Sequence, residues 1–319
     1  MTSAITGNKL LHHPERISGD FRPITADVFL TNYCNNKCGF CTYGRWERSE
    51  SYSVKYTDFC DYADRLIELG VKGIILSGGG EPTVNRDFDA IAKYLETKGI
   101  HYGINTNFNI LKYIKPDYLK VSLDGWDEDS YESIRGVRAY EKARANIIAY
   151  AEWKKTNSKT TSLGIQMIPK TYGDVLRFYA ANKDLPVDYI VYRPIESTCG
   201  NFYKDSDHLA EAKLIINSVK RLSERDNRVV MNFKWDYLDT SFDSCVAHWS
   251  QIAIDEHGNV IYCCHKPYEK IGHIMDPDIL EKHAAAHTNM EMCDIPCRLT
   301  APNLLMQAIA TPGKNEEFI

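Results

Sequence analysis

Three of the ten cysteines in this chain, Cys34, Cys38 and Cys41 in TNYCNNKCGFC, are spaced C-x3-C-x2-C with no fourth cysteine nearby. Closed iron–sulfur clusters are held by four thiolates, and structural zinc also takes four ligands in a tetrahedron. Three thiolates at this spacing can hold three irons of a four-iron cluster and leave one iron open. An open iron is a reaction site rather than a staple. The plainer alternatives are half a zinc knuckle or buried free thiols.

A second group follows near the other end, as C-x12-G-x4-C for Cys245, Gly258 and Cys263, then C-x3-C for Cys293 and Cys297. Four thiolates with a hairpin between the first two can close a cluster or bind zinc. Cys264 is an alternative to Cys263, and His265 is an outside candidate. Between the two groups lies Leu76-Ser77-Gly78-Gly79-Gly80-Glu81-Pro82. A glycine run at a strand's end lets backbone amides and carbonyls approach a polar ligand, and the Lys-Ser/Thr ending of a phosphate loop is missing. Cys60 falls off the apolar face of its helix. Cys199, in YIVYRPIESTCG, follows a strand, so it and the preceding Arg193 and Glu196 are candidates to meet substrate. Gln166 is a further candidate to point inward.

These groups need a frame, and the pattern supplies one. Strand candidates at Thr25–Leu30, Gly73–Leu76, Ile100–Asn105, Tyr118–Leu123, Ser162–Ile168 and Asp188–Tyr192 alternate with amphipathic helices. Thr57–Leu69 carries Phe59, Tyr62, Ala63, Leu66 and Ile67 on one face, with Thr57 as the expected N-cap and Gly70 as the stop. Phe88, Ile91, Ala92 and Leu95 form a second such face, closed by Gly99. Alternation of this kind builds a parallel sheet with functional residues at the carboxyl ends of the strands. Past residue 230, Ser250–Asp255 and Val260–Cys264 flank EHGN, which predicts a β-hairpin turning at Gly258.

Bulk composition narrows the function classes. Net charge is −5, from 38 basic and 43 acidic residues, without a basic stripe or acidic tail, so no nucleic-acid partner is expected. No apolar run approaches a membrane span, and Met1 to Asp20 is polar and unlike a signal peptide. A cytoplasmic, reducing setting is therefore expected, where cysteines bind metal more often than they pair.

The first cysteine motif, with the aromatic Phe40 just before its last cysteine, resembles the signature of the radical S-adenosylmethionine (SAM) superfamily. The resemblance spans roughly residues 24 to 300. It implies that the open iron binds the amino and carboxylate groups of SAM and that Phe40 packs near the adenine. Gly79 to Pro82 resembles the family's GGEP motif, which holds the SAM amino group. Asn105 and the pair Ser122 and Asp124 resemble positions that bind ribose and carboxylate, and Arg135 is a candidate for the carboxylate. The later cysteines resemble the SPASM/twitch extension, and the single-cluster twitch form fits better because the later C-x2-C-x5-C-x3-C array is absent.

The resemblance implies an α/β fold: a partial (β/α)6 barrel over 21–230, preceded by an extension over 1–20. A small auxiliary-cluster module over 231–300 and a surface tail over 301–319 follow. It implies SAM and two [4Fe–4S] clusters as cofactors, and an electron donor such as flavodoxin or ferredoxin. The expected reaction begins with hydrogen abstraction by a 5′-deoxyadenosyl radical and ends in two-electron oxidation of a small hydroxylated or aminated compound. The runner-up is a peptide-modifying maturase or epimerase with Cys199 as hydrogen-atom donor. It is disfavoured because fewer than 35 residues precede the cysteine motif. A non-catalytic electron carrier needs neither an open iron nor a glycine loop.

Overall fold

The computed structural model describes residues 8–43, 50–196, 202–290, 293 and 296–310. Six parallel strands lie where the hydrophobic pattern predicts, β1 Thr25–Val28, β2 Gly73–Leu76, β3 His101–Thr106, β4 Tyr118–Ser122, β5 Ser162–Met167 and β6 Tyr189–Tyr192, and alternate with helices except between β3 and β4, which a helix-free segment joins. They pair in chain order, each with the next. A short seventh strand, β7 Val229–Met231, continues the sheet beside β6. This is an α/β partial barrel with helices packed outside it. Ala26, Ile74, Ile104, Leu119, Ile165 and Ile190 face those helices and are fully buried.

The helices start and stop for legible reasons, with one difference. The helix Tyr56–Glu68 has Lys55, not Thr57, at its N-cap, and no side chain of its own caps it. Instead Asp87, from the next unit, accepts from the Tyr56 amide at 3.1 Å. A tertiary contact thus satisfies the orphan donor that local sequence would have satisfied. At the other end Gly70 takes φ +91, and Gly99 closes the helix Phe88–Lys98 with φ +66.

The hairpin expected after residue 230 is present as β8 Gln251–Ile254 and β9 Asn259–Ile261, with Gly258 at φ +80 in the turn and β10 Lys270–His273 beside β9. It does not stand on a sheet of its own. β8 pairs in parallel with β1, in register Thr25↔Gln251 through Val28↔Ile254, so one ten-stranded sheet runs from β10 to β7. Hydrogen bonding to a barrel strand supplies the support that so short a segment lacks.

Both terminal stretches are tied down. In the N-terminal extension, Arg16 is 2% exposed and donates to the Gly70 carbonyl at 2.8 Å and to Asp20 at 2.7 Å. In the expected surface tail, Thr300–Ala310 is a helix whose Thr300, Ala301, Pro302 and Asn303 are buried. Asn303 donates to Cys245 Sγ at 3.4 Å and accepts from the Ala247 amide at 2.8 Å. That segment therefore belongs to the second cysteine region.

Candidate functional site

Cys34, Cys38 and Cys41 lie half-buried on the loop that leaves β1, at the carboxyl end of the sheet where an open α/β fold places its ligands. An asparagine belt fixes this loop. Asn35 accepts from Asn107 Nδ2 at 2.6 Å, and Asn36 accepts from Asn109 Nδ2 at 2.8 Å. The Asn36 amide donates to Cys34 Sγ at 3.4 Å. Burial pushes the Cys34 thiol up to about 12, so a metal has to displace its proton on binding.

The glycine run is shaped by contact with this loop. A Cβ on Gly78 would stand 2.1 Å from the Phe29 ring, one on Gly79 2.6 Å from the Thr31 carbonyl, and one on Gly80 1.8 Å from the Tyr33 carbonyl. Gly78 and Gly79 also have φ of +72 and +61, a region only glycine enters freely. The Glu81 amide then donates to Tyr33 O at 2.9 Å. Glu81 itself is 3% exposed. Its Oε1 accepts from the Thr83 amide at 3.1 Å, Thr83 Oγ1 at 2.6 Å and Thr106 Oγ1 at 2.5 Å, and its Oε2 from the Asn107 amide at 2.7 Å. The carboxylate locks the ends of β2 and β3 together, with one lone pair on Oε2 left for a further donor. Burial raises its pKa, and these bonds oppose that shift.

Asp124 and Arg135, both expected at SAM, neutralise each other. Asp124 is fully buried with φ +45. It accepts from the Ile168 amide at 2.7 Å and pairs with Arg135 Nη2. Arg135 Nη1 reaches Cys38 Sγ at 3.4 Å, its carbonyl accepts from the Lys37 amide at 2.9 Å, and its guanidinium lies 5.4 Å from the centre of the Phe40 ring. It ties the cysteine loop to the end of β4. Ser122, half-buried, sits opposite the buried Gln166 across β4 and β5.

An open-mouthed cavity of about 200 Å³ adjoins this loop, lined on one side by Phe40, Cys41, Gly78 and Asn105 and on the other by Arg193, Glu196, Cys264, His265 and Arg298. Phe40, Ile168 and Ile195 also line a neighbouring recess of about 220 Å³ with Trp126, Ile134 and Met167, whose apolar walls suit a flat base. Arg193, after β6, donates to Glu196 at 3.2 Å, and Lys234 pairs with the same carboxylate. Cys199 lies outside the described residues.

Cys263 interacts electrostatically with Cys264, Cys297 and Cys293, and Cys245 with Cys297. Cys264 packs with Phe29, Ala253 and Ile261, and takes a hydrogen bond from Arg298 Nη2 at 3.0 Å. Burial opposes the Cys297 thiolate, but a hydrogen bond from His265 and the charges of His265 and Lys234 outweigh it and bring the thiol to about 6. Among the described residues no three His, Cys, Asp or Glu converge closely enough to hold a single metal ion; a four-iron cluster spreads its thiolates around a larger body. Tyr43 Oη donates to the Cys264 carbonyl at 2.5 Å and so joins the two cysteine regions directly.

Several of these residues escaped the sequence reading: Tyr43, Lys234, Arg298 and Asp27. Asp27 is fully buried in β1, with Arg298 at 3.0 Å and Gln251 as partners. The signal was a carboxylate inside an apolar strand, which demands a buried partner. Arg298 directly follows Cys297, a cation beside a thiolate.

A family model for the Radical SAM superfamily matches residues 28–179. The chain is 26% identical over 170 residues to a probable GTP 3′,8-cyclase of Metallosphaera sedula, covering 50% of this chain and 52% of that protein. It is 30% identical over 138 residues to an Fe-coproporphyrin III synthase of Methanosarcina barkeri, covering 40% and 34%. It thus spans about half the length, or less, of these relatives. Among solved structures, Streptococcus suis SuiB bound to S-adenosylmethionine superposes with a TM-score of 0.61 at 17% identity, over 86% of this chain and 67% of that one. Native anSMEcpe with bound AdoMet gives 0.60 at 14% identity, over 85% and 83%. No helix among the described residues is long and apolar enough to cross a membrane.

Proposed function

We propose, from the premise that this is a radical SAM enzyme whose residues 28–179 form the radical SAM domain, that it dehydrogenates a small hydroxylated or aminated compound. The observation that carries this reading is the shared cavity: Cys41 and Cys264 both line it, and Tyr43 bonds the two loops together. An oxidation that begins with hydrogen-atom removal needs a sink for a second electron close to the substrate, and Cys264, next in sequence to the proposed auxiliary ligand Cys263, supports a second cysteine group beside this cavity.

A [4Fe–4S] cluster on Cys34, Cys38 and Cys41 with SAM bound supplies hydrogen abstraction from an unactivated C–H, and an auxiliary cluster on Cys245, Cys263, Cys293 and Cys297 supplies the electron sink. The chain's own residues do the rest. The Gly78–Gly80 turn lets its backbone approach a polar ligand, and the Oε2 lone pair of Glu81 is left to accept from an amino group. Phe40 and the apolar recess beside it suit an adenine, and Asn105 offers its Oδ1 to a hydroxyl. The Asp124–Arg135 pair stiffens the cysteine loop. Arg193 and Glu196 line the cavity and orient the substrate. A flavodoxin or ferredoxin is the class of donor that supplies the first electron.

The second reading is modification of a peptide. It draws on fold likeness to SuiB, solved with its precursor peptide SuiA, and to anSMEcpe, solved with a peptide. Mass spectrometry of product separates the two. Dehydrogenation gives a product lighter by two hydrogens, with one 5′-deoxyadenosine per turnover. Unchanged mass in ordinary water, with one solvent deuterium taken up in heavy water, would replace it with epimerisation. In that reading Cys199→Ala would block turnover while SAM was still cleaved.

A further inference from the structure

We infer that the substrate carries a carboxylate, held by the Nε–Nη2 edge of Arg193 on the β6 side of the shared cavity. This rests on the reading above that the cavity receives the substrate. Arg193 is placed by the sheet itself, since its amide donates to the Met167 carbonyl at 3.0 Å where β5 and β6 end. Its side chain is 24% exposed and lines the cavity. A guanidinium offers five donors in a planar fork, and among the described residues only Nη1 is engaged, by Glu196 Oε2 at 3.2 Å. Nε is buried and has no hydrogen-bond partner among the described residues. The Nε–Nη2 edge is the side that matches the two oxygens of a carboxylate with parallel N–H···O bonds.

The carboxylates of the protein nearby are already committed. Glu196 pairs with Lys234 and stands 3.7 Å from His265 Nε2. Asp27 takes Arg298 through both oxygens, at 3.2 and 3.0 Å, and Gln251 as well. Arg193 shares the Glu196 carboxylate with Lys234, and burial, with the nearby charge of Arg298, lowers it to about 10. A cation partly removed from water is costly, and an anion in the cavity offsets that cost. Three of the nine buried side-chain polar atoms without a partner among the described residues line this one cavity: Arg193 Nε, His265 Nε2 and Asn105 Oδ1. One planar edge favours a carboxylate over a phosphate, whose tetrahedral oxygens call for donors from several directions.

The test uses anaerobically reconstituted, SAM-loaded protein and three probes that share a carbon skeleton: glycerate, glycerol 3-phosphate and glycerol. Binding is read by saturation-transfer NMR, and SAM affinity by calorimetry. Glycerate should bind and glycerol should not. Arg193→Gln should weaken glycerate by at least about tenfold, with SAM affinity unchanged. Arg193→Lys, which keeps the charge but loses the fork, should fall between and covers the case in which the glutamine variant does not fold. Failure of glycerate to bind, or equal binding to parent and variants, overturns the inference. Tighter binding of glycerol 3-phosphate overturns the carboxylate in favour of a phosphate. A parallel fall in SAM affinity assigns Arg193 to SAM and overturns it too. A product of unchanged mass would remove the dehydrogenation and leave this site standing.

Discussion

Gly80→Ala is the sharpest probe of how the glycine run and the cysteine loop are fitted together. Gly80 needs no unusual backbone angle, so the substitution acts through space alone. Its Cβ would stand 1.8 Å from the Tyr33 carbonyl oxygen, where ordinary contact begins at 3.4 Å. One backbone must therefore retreat by about 1.6 Å. Both are held, by the Glu81 amide bond to that same carbonyl at 2.9 Å and by the four bonds on the Glu81 carboxylate. Losing the amide bond costs about 1 kcal/mol, and forcing atoms into a packed site costs about 1–3 kcal/mol. The expected sum is about 2–4 kcal/mol, concentrated one residue before Cys34. Gly99→Ala is the control: it has φ +66 but nothing within 4 Å of its Cβ, so it costs about 1–2 kcal/mol of backbone strain far from the cysteines. The assay is melting temperature together with iron bound per chain after anaerobic reconstitution. Gly80→Ala should lose both stability and the iron of the first cysteine group, whereas Gly99→Ala should lose stability alone. Wild-type iron content and SAM affinity in Gly80→Ala would refute the steric argument.

Cys263→Ala should lower iron from about eight to about four per chain, whereas Cys264→Ala should leave it near eight; the reverse result would exchange their roles. Arg298→Leu strands the buried Asp27, a loss on the order of 3–5 kcal/mol. Adding Asp27→Asn should recover much of it, and a melting temperature unchanged by the single substitution would count against the pair. Asp226 is lowered to about 2 by hydrogen bonds from Arg228, whose Nε and Nη2 donate to it at 3.0 and 2.7 Å. A depressed carboxylate stabilises fully above its unfolded value near about 4 and loses that contribution as pH falls toward about 2. Asp226→Asn should therefore melt lower than the parent at neutral pH, with the gap closing in acid; a constant gap would dismiss the linkage.

What the sequence disclosed followed from how local each signal was. The three cysteines, the glycine run and the six strands are written in spacings of a few residues, and the structure keeps the strands with shifts of one or two positions. Thr57 misled because a serine or threonine before an apolar face normally caps its own helix, while here Asp87 does so from another unit. The tail misled because its buried residues serve a partner, Cys245, that adjacent residues do not reveal. Asp124 and Arg135 each carried the chemistry of a SAM ligand, but their mutual pairing depends on a left-handed residue at the end of β4. Asp27 and Arg298 lie at opposite ends of the chain, and no periodicity links them.

The pairing of β8 with β1 has the widest consequence. β1 leads into the first cysteine loop, and β8 leads into the hairpin that carries Cys263 and Cys264. Three side chains of this one segment then reach the second region: Asp27 through Arg298, Phe29 by packing on Cys264, and Tyr43 by its hydroxyl. A separate module joined by a linker would set its distance from the barrel by domain docking, which is loose by default. Here the distance is set by sheet register and by a buried ion pair, both of which resist sliding because a one-residue slip would turn Asp27 out of the interior. On the proposed reading of a cluster at the second cysteine group, its loss should be felt at β1, and the two regions should gain or lose order together.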